Sequence, residues 1–378
     1  MTTPSRIPLS APDIGPAERA RLLETFDAGW VSSAGPAVAA FERAFADAVG
    51  LAHATAVSSG TAALHLALTL LDLRPGDAVI APTLTFIGGV GPIVHAGARP
   101  IFVDCGFGDW NLDAGLLDQA FDRARAEGLN VRAIVPADLY GQCCDIDAIR
   151  AVADAHGVPV ILDSAEAVGA TLNGRHAGHG SAVAAFSFNG NKIITTGGGG
   201  MLASDDGALI AHARSLAAAA RLPAVHYEHA EVGFNYRMLS LAAAMGLAQL
   251  ETLEAKVARR RAIFARYVAR LGGRAGVAFA PEAPGRRHTR WLSVMLLDPD
   301  IAGVDPDRLR LALDAANIEA RPVWKPMHLQ PVFRDALMIN AGVAETLFAD
   351  GLCLPSGSSL SDADIDRVCD VIEVALDA

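Results

Sequence analysis

The stretch FSFNGNKIITTGGGGM, residues 186–201, places one lysine in front of two threonines and four consecutive glycines. The whole chain has only three lysines, Lys192, Lys256 and Lys325. The apolar run that ends at Phe188 predicts a strand, and the glycines let other backbone approach closely. A lysine amine at such a strand end, partly shielded from water, can attack a carbonyl carbon and form a Schiff base. On residue type alone, a lysine on a surface loop is the more common alternative.

A second candidate feature is AVSSGTAALHLALTLL, residues 56–71. A strand-like start leads into Ser59, Gly60 and Thr61 and then into an amphipathic helical pattern, so free backbone N–H groups and small hydroxyls gather at a helix N-terminus. Such a terminus binds anions. An ordinary N-cap formed by serine or threonine is the alternative. The stretch contains neither GxGxxG nor GxxxxGK[ST], which removes the main support for a dinucleotide site or a P-loop.

A third feature is Asp163, which ends the apolar run PVILD, residues 159–163. The run predicts a buried strand of a parallel sheet, and α/β proteins bind ligands at the carboxyl ends of such strands. A carboxylate buried there requires a cation or a proton donor as its partner. A carboxylate that only caps the following helix is the alternative interpretation.

An anion site, a buried aspartate and a nucleophilic lysine are together the groups that pyridoxal phosphate requires. The phosphate would bind at the helix N-terminus, the aldehyde would react with Lys192, and Asp163 would keep the pyridine nitrogen protonated so that the ring accepts electrons. Each element is a weak signal alone, and their order and spacing carry the prediction. We therefore predict a pyridoxal phosphate enzyme with Lys192 and Asp163 as its catalytic residues.

The fold class follows from the alternation of short apolar runs with helical patterns between residues 54 and 204, which is typical of a mostly parallel sheet covered by helices. The predicted strands are AVIAP (78–82), ARPIFVD (98–104), RAIVPADL (132–139), PVILDSA (159–165), AVAAFSF (182–188) and GMLAS (200–204). Residues 237–271 are predicted as long helix. The sequence thus predicts an α/β fold with a large cofactor-binding domain, residues 1–250, that includes an N-terminal arm, and a small C-terminal α+β domain, residues 251–378.

The composition narrows the class of protein. A formal charge of −11 over 378 residues argues against a nucleic-acid or anionic-membrane surface, which would need a basic stripe. The dense arginine run at residues 256–270 has apolar residues at helical spacing and predicts a solvated amphipathic helix. No apolar segment is long enough to span a membrane, and residues 1–15 lack a signal-peptide core, which favours a cytoplasmic protein.

The five cysteines fit neither a disulfide framework nor a metal site. Their number is odd, and the adjacent pair Cys143 and Cys144 lacks the CxxC spacing of common metal sites. We therefore expect buried thiols and no bound metal ion.

Five stretches occur in a characteristic order: SSGTAALHLAL, APTLTF, DSAEAVGA, SFNGNKIITTGGGGM and VGFNYRMLSLAAAMGLAQL. In this order they resemble the DegT/DnrJ/EryC1/StrS family of nucleotide-sugar aminotransferases over nearly the whole chain. The resemblance implies the fold-type I architecture of pyridoxal phosphate enzymes. It also implies that Phe86 stacks on the cofactor ring, that Ser187 helps to bind the phosphate, and that Glu166 lies near the ring hydroxyl. Many relatives carry Gln or His in place of Glu166, so its role stays open. The candidate cofactor-binding residues are Ser59, Gly60, Thr61, Phe86, Asp163, Glu166, Ser187, Asn189, Lys192 and Asn235.

A fourth feature is GFNYRM, residues 233–238, which by itself is a polar turn before a helix. The resemblance implies that Asn235 reaches the phosphate bound by a neighbouring subunit and that Arg237 lies in the same shared site. A symmetric homodimer, in which each subunit completes the site of the other, follows from that.

The expected reaction is transamination. The family that the chain resembles also contains a minority of sugar dehydratases, which carry His in place of the lysine, whereas Lys192 can move a proton between substrate and cofactor carbons. The expected amino donor is L-glutamate, which leaves pyridoxamine phosphate, and a keto sugar then takes the amine. The stretch NGNKIITTGGGGM, with RPVWKPMHLQPVF downstream, most resembles enzymes that aminate C4 of UDP-linked 4-keto-6-deoxy N-acetylhexosamines in polysaccharide biosynthesis, of the bacillosamine and legionaminic acid type.

Several alternatives stay open at this stage. GDP-perosamine synthases, a C3 aminotransferase and a dehydratase share the fold, and a non-catalytic pyridoxal phosphate-binding regulator is a rival from another class. The cations and the indole of residues 321–328 would contact the nucleotide or its diphosphate. Alternatively, Trp324 packs the small domain, and His328 is a core histidine with satisfied hydrogen bonds. The candidate substrate-binding residues are Thr85, Arg237, Arg321, Trp324, Lys325 and His328.

Overall fold

The computed structural model describes residues 5–377. The α-helices of this range are α1 (Pro16–Asp27), α2 (Pro36–Val49), α3 (Gly60–Thr69), α4 (Ile87–His95), α5 (Leu117–Ala126), α6 (Ile146–His156), α7 (Gly207–Ala217), α8 (Ser240–Glu251), α9 (Leu253–Leu271), α10 (Pro299–Ala302), α11 (Pro306–Ala315), α12 (Val343–Asp350) and α13 (Asp362–Leu376). The strands are β1 (His53–Val57), β2 (Asp77–Pro82), β3 (Arg99–Val103), β4 (Asn130–Ile134), β5 (Ile161–Asp163), β6 (Thr171–Leu172), β7 (Arg175–His176), β8 (Val183–Ser187), β9 (Gly200–Ser204), β10 (Val277–Phe279), β11 (Arg286–Arg287), β12 (Ser293–Leu297), β13 (Arg321–Pro322), β14 (Leu337–Ile339) and β15 (Gly351–Leu354).

The central sheet has the strand order β14-β3-β2-β4-β5-β8-β9-β1. It consists of two four-stranded sheets, β14-β3-β2-β4 and β5-β8-β9-β1. Isolated parallel bridges from Ile134 to Val160 and from Ala137 to Asp163 join the two sheets between β4 and β5. β9 runs antiparallel to both of its neighbours, while the other strands are parallel. Every predicted strand of residues 78–204 is present, which confirms the mostly parallel α/β sheet. The carboxyl ends of its parallel strands share one edge, where ligands bind in such folds.

Helices cover both faces of this sheet and fix the strand that leads to the lysine loop. On one face, Phe45 of α2 packs edge-to-face on Phe186 of β8 with ring centroids 5.0 Å apart, and on Phe188 at 5.3 Å. All three rings are fully buried. This aromatic packing holds the end of β8 rigidly against α2.

The C-terminal region forms a separate antiparallel sheet with the order β10-β12-β15-β13. α9, α11 and α13 pack on it around a core of aliphatic side chains. The N-terminal arm adds to this core, because Ile7 pairs with Ile318 and is buried among its residues. In the other direction, β14 leaves the C-terminal region and extends the central sheet beside β3. The division into two domains near residue 250 remains a proposal. The N-terminal arm at Ile7 packs with the C-terminal region, and β14 packs with the large domain, so both segments lie across the proposed boundary.

The long helix predicted over residues 237–271 is two helices, α8 and α9, which meet at Thr252. The arginine-rich run lies on α9, a helix as predicted, but the prediction of a solvated run was wrong in part, because Lys256 and Arg260 are buried. Other arginines of the run pair with carboxylates of α13. Arg266 binds Asp366 at 2.6 Å and Arg270 binds Glu373 at 2.6 Å. Among residues 5–377, no helix combines the length and the apolar character needed to cross a membrane.

Candidate active site

A cavity of about 380 Å³ lies at the carboxyl ends of the parallel strands and is closed on its far side by the C-terminal region. β5 brings Asp163 to it, β8 brings Ser187, and the loop after β2 brings Phe86. Trp324, which follows β13, lines the opposite wall. The structure thus brings together twelve of the predicted residues. They are Ser59, Gly60, Thr61, Thr85, Phe86, Asp163, Glu166, Ser187, Asn189, Lys192, Arg321 and Trp324.

The N-terminus of α3 supplies open backbone donors. Ser59 is its N-cap, and the serine hydroxyl accepts the N–H of Ala62 at 3.0 Å. The amides of Gly60 and Thr61 have no hydrogen-bond acceptor among residues 5–377. A side chain at Gly60 would put its Cβ 2.9 Å from the Cβ of Ser187, so only glycine leaves this space free. Both interpretations of the sequence therefore hold at once: Ser59 caps the helix, and the next two amides are available to an anion.

The glycine run after the lysine lets β9 pass close to this helix terminus. A Cβ on Gly200 would lie 2.4 Å from the carbonyl carbon of Ser59, which no side chain tolerates. Gly199 is equally confined, because its Cβ would meet the hydroxyl of Thr196 at 2.3 Å. Gly200 therefore serves close backbone packing beside the anion site, as the sequence indicates, and Gly199 leaves room for Thr196, whereas a Cβ on Gly197 or Gly198 would meet no atom within 4 Å.

Lys192 projects into the cavity and is held between a carboxylate and an aromatic face. Its Nζ lies 3.3 Å from Oε1 of Glu166, and the two side chains are 12% and 8% exposed. The same Nζ lies 3.9 Å from the centre of the Trp291 ring. Oε2 of Glu166 accepts the backbone N–H of Tyr140 at 2.7 Å. Burial raises the pKa of Glu166 to about 7, although Lys192 opposes this rise.

Asp163 is buried at the end of β5 with one oxygen still open. Oδ1 accepts the N–H of Ala165 at 3.1 Å, and Oδ2 accepts no hydrogen bond from the described residues. Burial raises the pKa of this carboxyl, and the positive charge of Lys192 lowers it. Gly89 of α4 makes room for Oδ2, because a Cβ there would lie 2.5 Å from it. The open oxygen faces a region where a ligand can supply an N–H donor.

Phe86, Trp291 and Trp324 bring aromatic rings to the cavity lining, beside small, polar and aliphatic residues. Phe86 is 57% exposed although it is apolar, and its ring lies 5.7 Å from that of Trp324. Trp324 also packs on Tyr140 at 5.0 Å, and Trp291 lies 6.1 Å from Trp324. An exposed phenylalanine ring at the mouth of a cavity offers a stacking surface for a planar ligand.

Sequence reasoning missed Trp291 and Tyr140. Trp291 lines the cavity, and Tyr140 is buried directly behind it. The only local signal for Trp291 is its position at the start of the strand-like run WLSVMLL, and that pattern predicts a residue of the hydrophobic core. For Tyr140, a useful signal is the dipeptide Tyr140–Gly141 directly after a predicted strand, since α/β sites lie at such strand ends.

Four predicted site residues lie away from the cavity of their own protomer. Asn235 and Arg237 are on the surface, and the guanidinium of Arg237 donates to the carbonyl of Ser33. Lys325 is exposed. These placements leave their predicted roles as predictions.

His328 is the fourth of these residues and is the best accounted for by structure alone. Its Nδ1 shares a hydrogen bond of 2.6 Å with the hydroxyl of Thr83, and its Nε2 lies 3.2 Å from a carboxylate oxygen of Glu345. With both ring nitrogens bonded, the placement favours the alternative of a satisfied histidine that ties the C-terminal region to the loop after β2.

No group of three or more His, Cys, Asp or Glu side chains in residues 5–377 is arranged to hold a metal ion. The five cysteines are buried free thiols. Burial raises the pKa of both Cys143 and Cys144, which keeps these thiols protonated.

The model of the DegT/DnrJ/EryC1/StrS aminotransferase family matches residues 12–373. The chain belongs to this family. A Bacillus subtilis protein named as the pyridoxal phosphate-dependent aminotransferase EpsN is 44% identical over 97% of this chain and 95% of that protein. A GDP-perosamine synthase of Caulobacter vibrioides is 41% identical, with 98% of each chain covered. The solved structure of the aminotransferase TlmJ from Streptoalloteichus hindustanus is 31% identical, covers 98% of this chain and 99% of its own, and has a TM-score of 0.88.

This aminotransferase uses pyridoxal phosphate, and its fold is the expected fold-type I architecture. The residues of the cavity fit the cofactor on their own chemistry. The open amides of Gly60 and Thr61 suit a phosphate, the open oxygen of Asp163 suits a ring N–H, and the amine of Lys192 suits an aldehyde. Phe86 offers its exposed face to a planar ring.

Proposed function

We propose that this aminotransferase moves an amino group from L-glutamate to C4 of a nucleotide-linked 4-keto-6-deoxy sugar, through Lys192. The observation that carries the proposal is the position of the Lys192 amine, which projects into the cavity, is 12% exposed and lies 3.3 Å from the carboxylate of Glu166. An amine in that position can take up and release a proton beside a bound substrate.

Each proposed role rests on a contact of the chain. Pyridoxal phosphate supplies an aldehyde that condenses with amines and a ring that accepts electrons. Asp163 would hold a proton on the ring nitrogen through its open oxygen. Phe86 would orient the ring by stacking, and Gly60 and Thr61 would fix the phosphate by their amides. Lys192 would then carry the proton between the two reacting carbons.

The substrate we propose first is a UDP-linked N-acetylhexosamine derivative. At the cavity rim, Arg321 is 67% exposed and its guanidinium donates to Glu319 at 2.8 Å, so a diphosphate would have to share or displace that carboxylate, while Trp324 offers a ring to a base or sugar. A GDP-linked 4-keto-6-deoxy sugar is the second candidate. It is favoured by the similarity to GDP-perosamine synthases, which are 41%, 35% and 36% identical to this chain.

We also propose a homodimer with shared active sites. Asn235 and Arg237 are exposed outside their own cavity, and Arg237 would have to release its hydrogen bond to the carbonyl of Ser33 to reach the cavity of a partner. Arg321 at the rim is already paired with Glu319, so the charge of a diphosphate would be incompletely balanced within one described protomer, which a second copy would remedy. The buried free thiols are consistent with a reducing compartment such as the cytoplasm.

The test of the proposed reaction is the visible absorbance of the purified protein before and after addition of L-glutamate, followed by product analysis with UDP- and GDP-linked 4-keto sugars. We expect the absorbance of lysine-bound cofactor to disappear with glutamate and an amino sugar to form at C4. Lys192→Ala should abolish the conversion, and Asp163→Asn should slow it at least 100-fold, because the ring nitrogen loses its charged partner.

Each rival function predicts a different result. An amine at C3 would identify a C3 aminotransferase, and loss of a hydroxyl without gain of nitrogen would identify a dehydratase. Cofactor that never exchanges its amine with any donor would identify a non-catalytic regulator. Full activity of Lys192→Ala would refute the role of the lysine itself.

A further inference from the structure

Arg260 of α9 is a buried cation without a carboxylate partner. It is 1% exposed and forms no ion pair within residues 5–377, and its Nε has no hydrogen-bond partner there. Burial lowers its pKa to about 10, with Asp13 opposing the shift from a distance. An unpaired buried charge costs several kcal/mol. A chain that retains one must gain something specific from its hydrogen bonds.

Those hydrogen bonds converge on the back of the active site. Nη1 of Arg260 donates to the carbonyl of Trp291 at 2.7 Å and to that of Ser356 at 2.9 Å. Nη2 donates to the hydroxyl of Ser10, on the N-terminal arm, at 3.1 Å. One guanidinium therefore joins α9, the segment before β12, the segment after β15 and the N-terminal arm. Its planar fork can hold all three acceptors in fixed directions, which an ammonium cannot do.

Ser10 and Trp291, two of these partners, both donate a hydrogen bond to the carbonyl oxygen of Asn191. The hydroxyl of Ser10 donates to the carbonyl of Asn191 at 2.8 Å, and Nε1 of Trp291 donates to the same carbonyl at 2.7 Å. Asn191 directly precedes Lys192 in the chain. The Trp291 ring also lies 3.9 Å from the Lys192 amine. The backbone just before the lysine and the amine at its tip are thus both located by groups that Arg260 holds.

We propose that Arg260 is a positioning residue for Lys192, acting through Ser10 and Trp291 on the carbonyl of Asn191. The inference rests on the proposed role of Lys192. The lysine has four rotatable side-chain bonds, so the reach of its amine depends on how firmly its backbone is anchored. A displacement of about 1 Å at a reacting group can cost on the order of 100-fold in rate.

Two mild variants test the proposal with the holoenzyme. Ser10→Ala removes one donor to Asn191, and Trp291→Phe removes the other while keeping a ring beside the lysine. The matched control is Ser358→Ala, which removes a hydrogen bond of 2.7 Å to Asp13 on the same N-terminal arm. We expect kcat to fall about fivefold in each test variant, as for loss of one hydrogen bond. The KM values for glutamate and the sugar should change less than about twofold in Ser10→Ala, because Ser10 does not line the cavity as Trp291 does, and the control should match the wild type.

A second readout does not depend on turnover. In the cofactor-free protein, Lys192 should react with an amine-labelling reagent at least about threefold faster in the two test variants, because its amine is held less firmly against Glu166 and Trp291. The chain has only three lysines, and exposed Lys325 serves as the internal reference in mass spectrometry. Thermal melting of all variants separates a local effect from general destabilisation.

The outcomes distinguish this inference from the proposed function. If both test variants match Ser358→Ala in kcat and in Lys192 labelling, the positioning role is wrong. If Lys192→Ala retains activity, the proposed role of the lysine fails first. Arg260→Lys, which keeps the charge but lacks the fork, should lower kcat more than either single variant. Wild-type kcat in that variant would also overturn the proposal.

Discussion

Replacing Glu166 by glutamine tests how the burial of one carboxyl controls the active site. The side chain is 8% exposed, with the Lys192 amine at 3.3 Å and the Tyr140 N–H at 2.7 Å as its polar neighbours. Loss of hydration raises its pKa from 4.5 to about 7, with Lys192 and the Tyr140 N–H opposing the rise and Asp163 adding to it. Glutamine has nearly the same shape and keeps an oxygen for Tyr140, but it cannot be ionised.

The direction and size of the effect on the free energy of unfolding follow from the pKa of Glu166 in the unfolded chain, 4.5, and in the folded protein, about 7. Because the folded protein binds the Glu166 proton more tightly than the unfolded chain, this group stabilises the fold fully below about pH 4.5, and the contribution is lost as the pH rises through about 7. Each pH unit between the two values corresponds to about 1.4 kcal/mol. Ionisation of Glu166 should therefore remove about 3 kcal/mol from the free energy of unfolding across this range.

The assay is chemical denaturation of the cofactor-free protein at several pH values from 4.5 to 7.5. Other buried carboxyls, such as Asp138 with its pKa raised to about 6, add their own slopes, so the informative quantity is the difference between wild type and Glu166→Gln. We expect the variant to gain up to about 3 kcal/mol relative to wild type as the pH rises. The exposed Glu24→Gln serves as the control. Equal pH slopes for wild type and Glu166→Gln would refute the burial argument.

Two further substitutions test single contacts. Gly89→Ala would bring a Cβ within 2.5 Å of Asp163 Oδ2, so we expect at least about tenfold weaker pyridoxal phosphate binding in an absorbance titration. The control is Gly91→Ala on the same helix, where the new Cβ would meet no atom within 4 Å, and this variant should bind the cofactor normally. Asp104→Ala removes a buried carboxylate that accepts the N–H groups of four residues, and should lower the free energy of unfolding by about 3 kcal/mol or more in urea denaturation. Asp113→Ala, which loses one exposed N–H contact, should cost less than about 1 kcal/mol.

Features whose signals are local are the ones that the sequence predicts. The lysine loop, the α3 terminus and the end of β5 each combine an apolar strand with a small or charged residue directly after it, and parallel strands must place their ends at one edge. That rule is enough to bring Lys192, Asp163 and Gly60 into one cavity. No long-range contact has to be known in advance.

The sequence does not predict contacts between segments that are far apart along the chain. Trp291 reaches the carbonyl of Asn191 across 100 positions, and Ser10 reaches it across 181. Neither residue belongs to a pattern that points to the lysine. For His328 the sequence is misleading in the opposite way. Its sequence neighbours include cations and an indole, which suggests a contact with a ligand, but in the structure its ring nitrogens form hydrogen bonds with Thr83 and Glu345.

Tyr140 shows why part of the site depends on strain that a sequence does not reveal. Its φ is 53°, a left-handed conformation that a tyrosine adopts at a cost of about 1–3 kcal/mol. This turn aims its N–H at Glu166, while its ring packs 5.0 Å from Trp324 and 6.3 Å from Trp291. Glycine would relieve the strain but would leave both indoles unsupported. The strain is therefore offset by aromatic packing, and the same residue fixes the carboxylate that faces Lys192 and supports the two indoles that line the cavity.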